Sequence, residues 1–232
     1  MKENLDYISI NKKSWNNRTD VHVDSEFYDV KGFLEGKSSL NDIELNLLGD
    51  IKGKSILHLQ CHLGQDSISL SKLGAEVTGI DLSDKAIAKG KELAKLAGTT
   101  TEFICSDVYD LPNHLDKQFD IVHPVVWMFD DDFQKVGYNY FNTGAIVETE
   151  SGTYANNEAP LNEEYVMWNH AFAEVFTSLL QNDMQLTALQ EFDYSPYNCF
   201  KHTVEFAPQK YRIAHMENKL PMVYALFATK KI

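Results

Sequence analysis

Apolar positions are sparse at the start of the chain and become periodic in its middle. Up to about residue 38 the sequence is mixed and largely polar, punctuated by aromatics such as Trp15, Phe27, Tyr28 and Phe33. In SLNDIELNLL (39–48) the spacing of Leu40, Ile43, Leu47 and Leu48 predicts an amphipathic helix, and Gly49 and Gly53 then punctuate the chain. SILHLQ (55–60), AEVTGID (75–81), TEFICSD (101–107) and FDIV (119–122) read as short buried strands. Between them DSISLSKLG (66–74) and SDKAIAKGKELAKLAG (83–98) read as helices. The second starts at a capping Ser83, repeats Ile87, Leu93 and Leu96, and stops at Gly98.

Strands alternating with helices imply right-handed βαβ units and a mostly parallel sheet covered on both faces. In such sheets ligands gather beyond the carboxyl ends of the strands. Three such ends can be placed: Gln60–Gly64, Asp81 and Asp107. After FDIV the alternation stops. YNYFN (138–142) and AIVETE (145–150) suggest a hairpin through Thr143 and Gly144, and EEYVMWNHAFAEVFTSLLQ (163–181) suggests a helix. MQLTALQEF (184–192) and MVYALFATK (222–230) read as strands, the last suited to an antiparallel position.

Length and charge narrow the function. At 232 residues the chain holds one domain, or one domain with an appended cap. Its net charge of −13, with Arg18 and Arg212 the only arginines, speaks against a broad nucleic-acid face. Lys85, Lys89, Lys91 and Lys95 fall on one predicted helix and read as its solvated side. Cys61, Cys105 and Cys199 match no zinc or disulfide pattern, which predicts reduced thiols, no metal site and a cytoplasmic setting. The first ten residues lack the apolar core of a signal peptide, and no apolar run is long enough to span a bilayer.

The candidate chemistry lies at the three strand ends. The turn His58-Leu59-Gln60-Cys61-His62-Leu63-Gly64 would bring backbone N–H groups and a helix N-terminus to a ligand. With Gly64 its single glycine it fits neither G-x-G-x-x-G nor the P-loop, which speaks against a nicotinamide-dependent oxidoreductase. Asp81 can accept from both hydroxyls of a ribose or cap the next helix. Asp107 can accept from an adenine amine or sit in solvent. His58, His62 and His123 lie near strand ends without metal spacing, and Cys61 reads as a small packing residue. Tyr194, Tyr197 and Phe200 pack around a Ser-Pro turn or line a pocket.

ILHLQCHLGQDS, VTGIDLS, FICSDVYDLP and FDIV, in that order, resemble class I S-adenosylmethionine-dependent methyltransferases, and more narrowly the bacterial small-molecule type. WNNRTDVHVDSEFYDV, HPVVWMFDDDF and DYSPYNCF are similar to the same subgroup, so the likeness runs over most of residues 12–230. The resemblance implies a Rossmann-like α/β fold with S-adenosylmethionine as cofactor. It places His58, Gln60, His62 and Gly64 against the methionine part, Asp81 on the ribose with Leu82 beside the adenine, and Asp107 on the adenine amine with Val108 beside it. Two glycines usual in the family are replaced here by Gln60 and His62. The resemblance further implies a helical cap or lid over residues 1–50 and a cofactor-binding domain over 51–232, with 123–162 an irregular or hairpin insertion.

One departure is large. Val122 runs directly into His123, where the family has a loop, a helix and a further strand, about forty residues in all. The fold is therefore expected to lack one helix–strand unit. The expected activity is methyl transfer to a small-molecule acceptor, away from nucleic acid and membranes, with room for a homodimer. The alternative is a cofactor-binding remnant that has lost catalysis. Tyr28, His123 and Tyr197 are candidates for a general base by location alone.

Overall fold

The computed structural model describes residues 6–108, 117–141 and 144–230, with side chains at 117–122 and 230 left undescribed. The end of the FICSDVYDLP motif, from Tyr109 on, lies outside the described residues. Two compact units result. One comprises Met1–Leu40, Leu45–His114 and Val147–Val166; the other comprises Asn41–Glu44, Leu115–Ile146 and Met167–Ile232. Among the described residues no helix is long and apolar enough to cross a membrane.

The first unit carries the βαβ repeat. Strands β1 (Ser55–Leu59), β2 (Glu76–Asp81) and β3 (Glu102–Cys105) form a parallel sheet in that order. Helix α4 (Gln65–Lys72) follows β1 and α5 (Asp84–Ala97) follows β2. Ser83 caps α5 by accepting from Ala86 N–H, and Gly98 ends it in the left-handed region, as its sequence signals predict. Leu63, Ile68, Ile87, Leu93 and Phe103 meet in one buried cluster with Phe33. A second cluster gathers Leu40, Ile51, Leu70, Ala75 and Val77.

Phe103 needs space, and glycines provide it. A Cβ on Gly64 would lie 2.2 Å from the Phe103 ring, and one on Gly79 would lie 2.8 Å away. The ring therefore sits directly under the turn that follows β1. Helices α1 (Tyr7–Val23) and α2 (Val30–Leu34) complete this unit together with most of β5 (Ile146–Ser151) and β6 (Asn162–Met167); α3 (Asp42–Leu48) follows in sequence.

The second unit is built on antiparallel pairing. β4 (Lys117–Val122), β10 (Val223–Lys230) and β7 (Met184–Phe192) form a sheet in the order β4-β10-β7. The central strand is the buried one, with Tyr224, Ala225 and Leu226 almost fully enclosed. Helix α6 (Phe172–Gln181) precedes β7, and β8 (Thr203–Ala207) with β9 (Lys210–Ile213) makes a separate antiparallel pair.

Two expectations are corrected. AIVETE does not pair with the described part of YNYFN: β5 pairs with β6, and Gly152 N–H donates to Leu161 carbonyl at 2.9 Å to close the loop between them, while Asn142 and Thr143 of the expected hairpin lie outside the described residues. The single helix expected over 163–181 is a strand to Met167 and a helix only from Phe172. Cross-strand bonding explains the change, since Tyr165 on β6 donates to Glu148 on β5 at 2.8 Å. The fourth strand, FDIV, is paired antiparallel with β10. Among the described residues only a short 3-10 turn, Val126–Met128, lies between β4 and β5, where the resemblance would put a further helix and strand.

Because Phe103 supports both the sheet and the turn above it, Phe103→Ala is expected to cost about 3–5 kcal/mol in urea unfolding. A loss below about 1 kcal/mol would show that the turn does not depend on that ring.

Candidate functional site

Backbone bonds lace the three strand ends together. Cys61 N–H donates to Ile80 carbonyl at 2.9 Å, and Ser106 N–H donates to Asp81 carbonyl at 3.0 Å. The Asp81 side chain then joins two further segments: Oδ2 accepts from His62 N–H and Oδ1 from Ser83 N–H, both at 2.8 Å. Asp81 is only 9% exposed. Burial pushes its carboxyl pKa upward, and the two backbone donors oppose that shift by favouring the ionised form. Each carboxylate oxygen can accept more than one bond, so both keep capacity for a ligand hydroxyl.

The turn after β1 explains how two family glycines can be absent. Gln60 and His62 have φ of 53° and 47°, inside the left-handed region that glycine enters freely. The backbone path is kept, at a cost of about 1–2 kcal/mol per residue. His62 offsets this with two bonds: its N–H to Asp81, and its Nε2 to His22 Nδ1 at 2.8 Å. Gln60 is exposed. Gly64, at φ 71°, starts α4 without a side-chain cap, so first-turn N–H groups remain available to a ligand.

The other expected residues take varied positions. His58 on β1 bonds Ser67 Oγ through Nδ1 at 2.8 Å, and burial lowers its pKa. The Leu82 carbonyl accepts from Cys105 Sγ at 3.5 Å. Asp107 and Val108, both half-buried, follow Ser106 at the end of β3. Cys61 is buried, and burial raises its thiol pKa, which suits a packing residue rather than a nucleophile.

Of the three base candidates, His123 is fully engaged. Its Nδ1 accepts from Val125 N–H at 3.2 Å, and its Nε2 therefore carries the proton toward Glu191, 2.9 Å away. Neither nitrogen is left to take a proton. The Tyr197 hydroxyl accepts from Asn41 Nδ2 at 3.0 Å within the second unit. Tyr28 stands in the first unit, its hydroxyl bonded to that of Tyr154.

Sequence reasoning missed the polar side of α1. Its buried residues are Ser14, Arg18, Thr19 and His22, with no apolar residue among them. Hydrophobic periodicity therefore cannot reveal which face is turned inward. The usable signal is the i, i+4 spacing of Ser14, Arg18 and His22, which stacks them on one side of a helix. Arg18, 5% exposed, donates from Nε to Ser14 Oγ at 3.3 Å and pairs with Glu150 at 2.9 Å. Its guanidinium lies 5.5 Å from the Trp15 ring centre and 5.3 Å from that of Tyr165. His22 is fully buried and stacks on Tyr28 at 5.1 Å.

Burial lowers His22 to about 3 and His62 to about 4, so both rings are neutral near pH 7. The unfolded rings protonate near pH 6.5, whereas the folded rings do not. Unfolding therefore takes up protons, and stability falls as pH drops from about 6.5 toward 4, by about 1.4 kcal/mol per pH unit for each ring. Urea unfolding at pH 7 and pH 5 is expected to show this loss, and His22→Phe to reduce it. Equal pH dependence in the two proteins would contradict the assignment.

Part of the chain is similar to known methyltransferases. Residues 56–139 match the methyltransferase domain family. An uncharacterized methyltransferase of Bacillus subtilis is 33% identical over 91 residues, 39% of this chain and 36% of that protein. The ubiquinone biosynthesis O-methyltransferase of Shewanella pealeana is 29% identical over 100 residues, 41% of this chain and 42% of that one. The chain thus spans about two fifths of the length of these relatives. The magnesium protoporphyrin IX methyltransferase of Synechocystis, solved with bound S-adenosylhomocysteine, superposes with a TM-score of 0.52 at 13% identity, covering 97% of this chain and all of that one. Residues 56–139 are thus similar to the methyltransferase domain family, and the chain shares the Rossmann-like α/β fold of solved methyltransferases.

Proposed function

We propose that this protein transfers a methyl group from S-adenosylmethionine to a small-molecule acceptor. The observation that carries the reading is Asp81, a buried carboxylate at the carboxyl end of β2, held in place by N–H groups of two loops. A cofactor with a vicinal diol would be recognised by such a group, and the fold family is one that uses it.

The residues present fit that cofactor. Asp81 would accept from the ribose hydroxyls, and Leu82 and Val108 would flank the adenine, with Asp107 accepting from its amine. Gly64 and the open first turn of α4 would face the methionine end, a position suited to a carboxylate. His58, fixed by Ser67, and the turn residues Gln60 and His62 would border the same end. When bound, the cofactor supplies an electrophilic methyl on a sulfonium. The chain's task is to bring donor and acceptor to about 3–3.5 Å and keep water out. Residues 1–50 act as the cap: α1 reaches the cofactor turn through the His22–His62 bond.

The test is calorimetric titration with S-adenosylhomocysteine, using Asp81→Asn, whose amide nitrogen cannot accept a hydrogen bond. Micromolar binding that weakens by about ten-fold or more in the variant is expected, since two charge-assisted bonds are lost. No binding by folded wild-type protein would overturn the reading. Binding without transfer to any acceptor would leave the cofactor-binding remnant as the better description.

A further inference from the structure

Among the described residues three buried side-chain polar atoms of the first unit have no hydrogen-bond partner: Arg18 Nη2, His22 Nε2 and His62 Nδ1. They belong to one cluster, since His22 bonds His62 and Arg18 lies one turn before His22 on α1. Unsatisfied buried polar atoms cost free energy, and three together call for an explanation.

The bond between the two histidines supplies one. If His22 carries its proton on Nδ1, it donates to His62 Nε2, and His62 then holds its own proton on Nδ1. If His62 donates from Nε2, His22 holds its proton on Nε2. In both arrangements the neutral pair has one N–H and one bare lone pair at its outer nitrogens. Moving the bridging proton across 2.8 Å exchanges the two. The pair can therefore take a proton at one end and release one at the other without gaining charge. Burial keeps both rings neutral near pH 7, the state this requires.

The surroundings indicate the ligand. The rings of Tyr28 and Tyr154 lie 5.1 and 4.9 Å from that of His22, Trp15 lies 5.4 Å from His62, and Phe27 packs on both tyrosines. The one buried cation of the cluster, Arg18, is already matched by Glu150. A second anion is not called for, whereas a flat neutral ring suits these aromatic walls. Tyr28 and Tyr154 are half-buried and bonded to each other through their hydroxyls. His22 is fully buried, so a ligand reaches it only if side chains of this cluster move apart.

We propose that the methyl acceptor is a neutral phenol, and that its hydroxyl is received by the His22–His62 pair at Nε2 of His22. This rests on the methyl-transfer reading. As the acceptor oxygen forms its bond to the methyl carbon, the carbon–sulfur bond breaks and its electron pair stays on sulfur. The phenolic proton passes to His22 Nε2, the Nδ1 proton of His22 moves to His62 Nε2, and the Nδ1 proton of His62 passes to solvent water that enters with the ligand. The sulfonium becomes a neutral thioether, one proton is released, and the pair ends in its other tautomer.

The test follows the imidazole nitrogens of His22 and His62 by 15N NMR while the full chain is titrated with phenol, anisole and benzoate, with and without S-adenosylhomocysteine. Anisole keeps the ring but lacks the proton, and benzoate is an anion. Phenol is expected to shift both histidines saturably, with anisole and benzoate about ten-fold weaker or more. His22→Phe is expected to bind phenol about ten-fold more weakly or worse. The proposal is overturned if phenol leaves both rings unmoved, if anisole or benzoate matches it, or if His22→Phe binds phenol as the wild type does. Should that variant not fold, the wild-type nitrogen shifts decide. Failure of the chain to bind S-adenosylhomocysteine would sink the methyl-transfer reading, and the response to phenol alone would still judge the histidine pair.

Discussion

A buried carboxylate that accepts from two separate loops is the constraint on which the first unit's site depends. Asp81 ends β2, yet its oxygens are bonded to the turn after β1 and to the cap of α5. It thereby holds in register the three strand ends at which a ligand of this fold is expected. The same bond to His62 makes a left-handed turn tolerable without glycine, because backbone strain at one residue persists only where surrounding bonds over-determine it. Phe103 supports the turn from below by filling the space that Gly64 and Gly79 leave open.

From that turn the constraint passes to α1. A helix that buries serine, arginine, threonine and histidine gains little from the hydrophobic effect, so its place depends on directed bonds. Arg18 to Glu150, Asn11 to the Val166 backbone, Asn17 to Glu163 and Asn16 to Ser83 supply them around the His22–His62 contact. Such a polar interface is specific in geometry and sensitive to pH. Both properties suit the cap proposed here for the N-terminal segment.

Much of this architecture is legible in the sequence, for physical reasons. The βαβ repeat shows itself because β2 and α5 bury regular apolar positions, and Ser83 and Gly98 mark the ends of α5 by capping chemistry. MQLTALQEF and MVYALFATK are read correctly because a strand needs only an apolar run between breaks. The 163–181 segment is misread because Tyr165 and Val166 fit a helical spacing and a strand equally, and a long-range bond to Glu148 decides between them. The candidate cofactor residues come from the family likeness and lie at the strand ends where the fold puts ligands. The polar face of α1 stays hidden, since no pattern of apolar residues records a helix held by hydrogen bonds.

The most direct test of this account is amide hydrogen exchange on wild type and Asp81→Asn, resolved by residue. If Asp81 organises the site, the variant loses protection at residues 61–66 and 83–87 together, and at 18–23 of α1 with them. Added S-adenosylhomocysteine then protects all three segments in the wild type. Unchanged protection of the turn and of α1 in a folded variant would show that Asp81 does not hold them, and would contradict the account.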